Sequence, residues 1–134
     1  MKLKPALLFL YTAFFSLLIS FWTQKQTIDI NIHDTYYVIE GLYIAVWLCI
    51  FTGLTGLIYL GLERVKRPIK LKTGYWHFWV FIAGFLILVS TFGLKILTDS
   101  LYLAPIFMLA GVLLFFLSLV IFIFGIARAF FNAN

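Results

Sequence analysis

Charged residues are scarce in this chain: they make up only 11% of its 134 residues, against about 25% in soluble domains. Hydrophobic residues account for 64%, well above the roughly 45–50% of soluble domains. This composition excludes an ordinary soluble globule, and it excludes a disordered chain, which would need low hydrophobicity and high net charge. Cysteine occurs once, at Cys49, so neither an internal disulfide nor a cysteine-built metal cluster can form. The composition is that of an integral membrane protein.

Four long apolar stretches can each cross a bilayer as a helix. A helix needs about 20 apolar residues to cross a hydrocarbon core of roughly 30 Å, and an open sheet would leave backbone amides unpaired in lipid. The predicted spans cover about residues 5–23, 36–62, 74–97 and 101–127. The sequence therefore predicts an all-α fold, an integral membrane four-helix bundle that forms a single domain over residues 1–134.

The basic residues predict the orientation of these spans. Eight of the ten Lys and Arg residues fall on one side of the four spans, and Lys25 and Lys95 fall on the other. The positive-inside rule places the richer side in the cytoplasm, together with both termini. We expect a multi-pass protein of a bacterial inner membrane. The eight residues are Lys2, Lys4, Arg64, Lys66, Arg67, Lys70, Lys72 and Arg128.

The outer loop over residues 24–34 has the richest polar chemistry. Its segment Thr27–Ile32 alternates apolar and polar residues, which predicts a short extended segment with one face on the membrane or on a partner. His33 and Asp34 follow and are candidate ligands for Mg²⁺ or Mn²⁺, although another chain would have to complete such a site. Alternatively, Asp34 caps the N-terminus of the second span.

Two further polar side chains lie close to predicted span ends. Glu40 falls one to two turns into the second span, where an unpaired carboxylate indicates function unless it stays hydrated at headgroup depth. His77 lies beside Trp76 and Trp79 near the inner interface and is interpreted as a hydrogen-bonding anchor.

A stripe of small residues runs along the second span. Ala45, Cys49, Thr52 and Gly56 follow one another at spacings of four, three and four, which places them on one helix face. Small residues let two helix backbones approach closely. We interpret Ala45, Thr52 and Gly56 as a packing groove for a neighbouring helix, and Cys49 as a small apolar residue within it.

Several function classes have no support in the sequence. It contains no glycine-rich phosphate loop, no Ser-His-Asp set and no pair of membrane carboxylates that would form an ion relay. The five basic residues between the second and third spans are what the topology requires, and they give no case for nucleic acid. The sequence therefore predicts that the chain is not an enzyme.

Residues 28–39 read IDINIHDTYYVI, and this stretch resembles the haem-copper oxidases, specifically subunit I of cytochrome c oxidase. In that family a similar motif leads from the outer surface into the tenth helix. Weaker similarities follow the same order: residues 9–12 with the ninth helix, 77–82 with the eleventh and 118–124 with the twelfth. The resemblance implies that the chain corresponds to the last four helices of subunit I.

The family motif continues into two histidines that bind the haem irons, and here the sequence departs from it. The corresponding stretch reads Glu40-Gly41-Leu42-Tyr43, and Gly41 has no side chain that could bind iron. In the family, the residues that match His33 and Asp34 lie beside a Mg²⁺ or Mn²⁺ site that a carboxylate of subunit II completes. The resemblance therefore implies loss of the redox centres, with no haem expected and Mg²⁺ or Mn²⁺ at the outer loop as the one candidate cofactor.

Three hypotheses follow. The first is a non-catalytic membrane subunit or scaffold that binds other membrane proteins through its helices and outer loop. The second is a homo-oligomeric channel or transporter-like protein in which Asp34 and Glu40 line an outer vestibule. The third is a haem-binding protein that uses Tyr43 or His77. The expected partners are the lipid bilayer, other membrane subunits or further copies of this chain, and no nucleic acid.

Overall fold

Four long helices and one β-hairpin form the structure, a computed structural model that describes residues 4–23, 27–32, 35–97 and 104–131. Each of the four helices is long and apolar enough to cross a membrane, which confirms the predicted all-α multi-pass fold. The helices are α1 (Pro5–Thr23), α2 (Gly41–Arg64), α3 (Leu71–Leu97) and α4 (Ala104–Phe131), and the strands are β1 (Thr27–Ile32) and β2 (Thr35–Glu40).

The start of α2 differs from the prediction. The second span was expected to begin near Tyr36, but the structure places Thr35–Glu40 in β2 and begins the helix at Gly41. Aromatic and β-branched residues favour strands, and residues 36–39 consist only of such types. Asp34 precedes the helix by seven positions and cannot cap it, so that interpretation is wrong. The acidic residue beside the N-terminus of α2 is Glu40, where its charge suits the helix dipole.

The other span boundaries agree with the prediction to within about one helical turn. Helix α1 covers Pro5–Thr23 as expected, and α3 begins at Leu71, three residues before the expected start. Helix α4 runs from Ala104 to Phe131 and so extends four residues beyond the expected end. The short outer connection expected at residues 98–100 lies outside the described residues.

The first of two compact units covers residues 1–61 and pairs α1 with α2. The two helices run antiparallel, because contacts move towards the start of α2 as they move along α1. Phe9 stacks on Tyr59 with ring centroids 5.7 Å apart, and a Cβ added at Gly53 would lie 3.7 Å from the Cβ of Ala13. Phe9 is fully buried, so the interior of this unit lies along the α1–α2 contact.

The second unit covers residues 62–134 and pairs α3 with α4. These helices also run antiparallel. His77 stacks on Phe122 at 4.8 Å between ring centroids, and one turn further along α3, Phe81 contacts Phe115 at 5.8 Å. Helices α3 and α4 therefore form an antiparallel pair within this unit.

A sharp turn connects α2 to α3. The amide of Arg67 donates to the carbonyl of Leu62 at 2.9 Å, and the amide of Lys66 donates to that of Glu63 at 3.1 Å. Lys66 has a φ of 59°, and this left-handed residue with its two hydrogen bonds forms a Schellman C-cap. Pro68 follows, where a proline suits the end of a helix because it cannot continue one.

Large apolar side chains cover the remaining surface of the helices. Aromatic residues are prominent among those that are more than half exposed, and such a surface suits lipid or the helices of a partner. They include Phe14, Phe15, Phe21, Trp22, Trp47, Trp76, Trp79, Phe116, Phe124 and Phe131.

Candidate functional site

The β-hairpin carries the sequence that resembles the oxidase motif. Its strands are antiparallel, with Ile28 opposite Ile39, Ile30 opposite Tyr37 and Ile32 opposite Thr35. The predicted extended segment Thr27–Ile32 is thereby confirmed, and the structure adds the second strand with which it pairs.

The candidate metal ligands His33 and Asp34 are the two residues between the strands, and they lie outside the described residues. Within the part of the chain that is described, no three His, Cys, Asp or Glu side chains come close enough to hold a metal ion. A site for Mg²⁺ or Mn²⁺ at His33 and Asp34 stays a prediction.

Glu40 lies at the end of β2, outside the helix that follows. Its register partner in the ribbon is Thr27, and the residue is exposed. The expectation that Glu40 lies one to two turns into a membrane helix is wrong, because the strand occupies the positions that were assigned to the first helical turns. Its exposure agrees with the alternative, a hydrated carboxylate at the membrane surface.

The small-residue stripe of α2 contacts α1 of the same chain. Ala45 and Thr52 are buried, and the Thr52 hydroxyl donates to the carbonyl of Leu48 at 2.6 Å. A Cβ added at Gly56 would lie 2.8 Å from Cγ of Leu10 and 3.2 Å from the carbonyl oxygen of Ala6. The predicted groove is therefore occupied at Gly56 by α1, and its neighbouring helix comes from within the chain.

The two residues considered for haem binding differ in their access. Tyr43 is 56% exposed in the first turn of α2. His77 is only 3% exposed, and its ring stacks on Phe122. His77 is therefore part of the α3–α4 contact, and its interpretation as a hydrogen-bonding anchor stays a prediction.

A cleft that the sequence analysis did not predict lies where α3 begins and α4 ends. Its volume is about 180 Å³, and four basic side chains line it: Lys66, Arg67, Lys70 and Arg128. The other lining residues are Pro68, Ile69, Thr73, Gly125 and Ala129, so the lining includes no carboxylate. In the sequence, the positive-inside rule alone is a sufficient reason for these charges. No pattern in the sequence could bring Arg128 beside a loop that lies about 60 positions earlier in the chain.

Most buried hydroxyl groups of the helices bond to their own backbone. Ser16 donates to the carbonyl of Ala13 at 2.8 Å, and Thr12 donates to that of Leu8 at 2.9 Å. Among the described residues, the hydroxyl of Ser118 is the one buried side-chain polar atom without a hydrogen-bond partner. It lies in the middle of α4, about two turns before Gly125, the first residue of this helix to line the basic cleft.

Comparison with protein families, curated proteins and solved structures adds no relative to these observations. No family model, no curated protein and no solved structure matches this chain.

Proposed function

We propose that this chain is a non-catalytic integral membrane subunit or scaffold that binds other membrane proteins through its helices and its outer hairpin. In this proposal it is similar to the last four helices of haem-copper oxidase subunit I. It resides in a bacterial inner membrane with both termini in the cytoplasm.

The observation that carries the proposal is the stretch from His33 to Ile39 followed by Gly41 and Tyr43. The first part matches the oxidase motif at seven consecutive positions, and the second lacks both haem-binding histidines. A chain that keeps the outer segment without the ligands of the redox centres is suited to binding a partner rather than to electron transfer.

The distribution of ionisable residues favours a scaffold over a channel or transporter. Residues 5–23, 41–62 and 104–127 contain no Asp, Glu, Lys, Arg or His. Ion and proton pathways through membranes depend on such residues inside the helices. The ionisable residues of α3 are Lys72, His77 and Lys95, of which Lys72 and Lys95 lie near its ends, and His77 is buried in the contact with α4.

The β-hairpin provides the surface through which a partner would bind outside the membrane. Its two strands pair only with each other among the described residues, and each therefore has one free edge. Free edges can accept a strand from another chain, and the hairpin also carries the candidate metal ligands between its strands.

The proposal is tested by purifying the tagged full-length chain in a mild detergent and identifying what remains bound. We expect different membrane proteins in fixed ratio to the chain. The double variant H33A/D34A should lose them, together with any Mg²⁺ or Mn²⁺ that elemental analysis detects. The control R64A/K72A, at the other end of the helices, should retain both.

Three results would contradict the proposal. A mass by native mass spectrometry that is an integral multiple of the 15.5 kDa chain, with no other protein, would support the homo-oligomeric alternative. A stoichiometric Soret band would indicate haem binding. Unchanged partners and metal in H33A/D34A would exclude the role assigned to the outer hairpin.

A further inference from the structure

The basic cleft combines two sources of positive charge on one small surface. Lys66, Arg67 and Lys70 come from the turn between α2 and α3, and Arg128 comes from the last turn of α4. Arg128 partly offsets the negative end of the α4 dipole, and Lys66 and Arg67, which follow the last residue of α2, do the same for that helix. Lys70 has no such role. Because no carboxylate lines the cleft, it has an excess of positive charge that an anion would neutralise.

Backbone geometry brings these charges together. The left-handed Lys66 ends α2, and Gly125 lets the start of α3 approach α4 closely. A Cβ at Gly125 would lie 3.2 Å from Cγ2 of Ile69 and 3.4 Å from Cγ2 of Thr73. Arg67 lies over the ring of Phe130, 5.0 Å from its centroid, and this cation–π contact orients its guanidinium group. The cleft is therefore shaped by packing and is more than a set of solvated charges.

The N-terminus of α3 adds further attraction for an anion. The first turn of α3 contains no acidic residue. Gly74 is the first residue of α3 whose amide donates to a carbonyl four residues earlier, which is that of Lys70. The preceding amides of a helix have no intrahelical acceptor and carry partial positive charge. Thr73, which lines the cleft, belongs to this first turn.

The position of the cleft identifies the kind of anion. The apolar stretches that are long enough to span a membrane end at Arg64, begin again at Leu71 and end at Phe131. The cleft, which lies beside these three ends, is therefore at the boundary between hydrocarbon and water. We propose that it binds the phosphodiester headgroup of an anionic phospholipid. Four basic groups repel the cationic moiety of a zwitterionic headgroup, and they therefore select phosphatidylglycerol over phosphatidylcholine.

The proposal is tested with the full-length chain in a neutral detergent, where native mass spectrometry measures the binding of dioleoylphosphatidylglycerol, dioleoylphosphatidylcholine and inorganic phosphate. The test variant is K70Q/R128Q. The matched control R64Q/K72Q removes two charges from the same end of the helices, one in a last helical turn and one beside the start of α3, but neither residue lines the cleft. Circular dichroism verifies that both variants keep their helix content.

We expect one phosphatidylglycerol per chain to bind in preference to phosphatidylcholine. Since each basic residue strengthens binding to anionic lipid by about fivefold, K70Q/R128Q should weaken it by about 25-fold. The control should change it by less than about twofold, because a neutral micelle has no surface potential through which distant charges act.

Equal losses in both variants would overturn the proposal in favour of diffuse electrostatic attraction. Equal binding of the two lipids would overturn the selectivity. Inorganic phosphate that binds as tightly as phosphatidylglycerol and displaces it would show that the source of the phosphate is soluble. Because the experiment involves no partner protein, its failure would leave the proposed subunit function untouched.

Discussion

Glycine has opposite significance at two positions of these helices. A Cβ at Gly84 would lie 3.2 Å from the carbonyl oxygen of Gly111 and 3.2 Å from the amide nitrogen of Phe115, and both are backbone atoms. At Gly61 an added Cβ would meet nothing within 4 Å. The contact between α3 and α4 therefore depends on the missing side chain at Gly84, whereas Gly61 contributes only backbone freedom to its helix.

We predict that Gly84→Ala destabilises the α3–α4 pair by about 1–3 kcal/mol, because backbone atoms cannot move aside as a flexible side chain can. Gly61→Ala should instead stabilise the chain by about 0.5–1 kcal/mol through its higher helix propensity. Denaturation of the purified chain in mixed micelles, followed by tryptophan fluorescence, measures both. Equal stability of the two variants would mean that α3 and α4 do not approach each other closely at Gly84.

At the scale of single elements, disulfide cross-linking can test the antiparallel pairing of α1 and α2. The Cβ positions of residues 13 and 53 are 3.7 Å apart, within the range of about 3.5–4.5 Å that a disulfide spans. In a Cys49→Ser background, A13C/G53C should cross-link within one chain under mild oxidation. The control A13C/G61C should not, since nothing lies within 4 Å of a Cβ at residue 61.

The cross-link also tests which helix occupies the groove on α2. A band at the mass of two chains would indicate that the small-residue stripe packs against α1 of a second copy. The sequence could predict the groove, because small residues at helical spacing define a face. It could not identify the helix that fills it, because any apolar helix can pack against small residues.

The hairpin shows which element boundaries the sequence could predict. The alternation from Thr27 to Ile32 correctly predicted the extended segment, because a period of two is incompatible with a helix. Residues 36–39 are continuously apolar or aromatic and precede a long apolar run, so that periodicity alone could not separate the strand from the helix. Their β-branched and aromatic side chains were the signal that would have separated them.

The basic cleft marks a second limit of prediction from sequence. Charge counting found every basic residue that lines it, and the positive-inside rule gave a sufficient reason for their presence. Their convergence depends on the turn at Lys66 and on the close packing at Gly125. Both are consequences of tertiary structure, and neither has a distinctive pattern in the sequence.

At the scale of the whole molecule, the membrane environment determines which features must be present. In the proposed topology, four spanning helices return the chain to the side on which it began, so that both termini share one side of the membrane. The charge asymmetry favours the cytoplasm for that side, because eight of the ten basic residues fall on it in this topology. The proposed orientation assigns the partner surface of the hairpin to the outer side and the lipid site to the cytoplasmic side.

We predict that this orientation can be read from the labelling of single cysteines in intact cells. In a Cys49→Ser background, Gln24→Cys should react with a membrane-impermeant maleimide, because it lies in the outer loop. Val65→Cys and Asn134→Cys should react only after the membrane is permeabilised, since both lie on the side rich in basic residues. None of the three substitutions changes the charge of the chain, so the bias that sets the topology is preserved. The opposite pattern would place the hairpin in the cytoplasm and the basic cleft outside, where the charge asymmetry does not favour it.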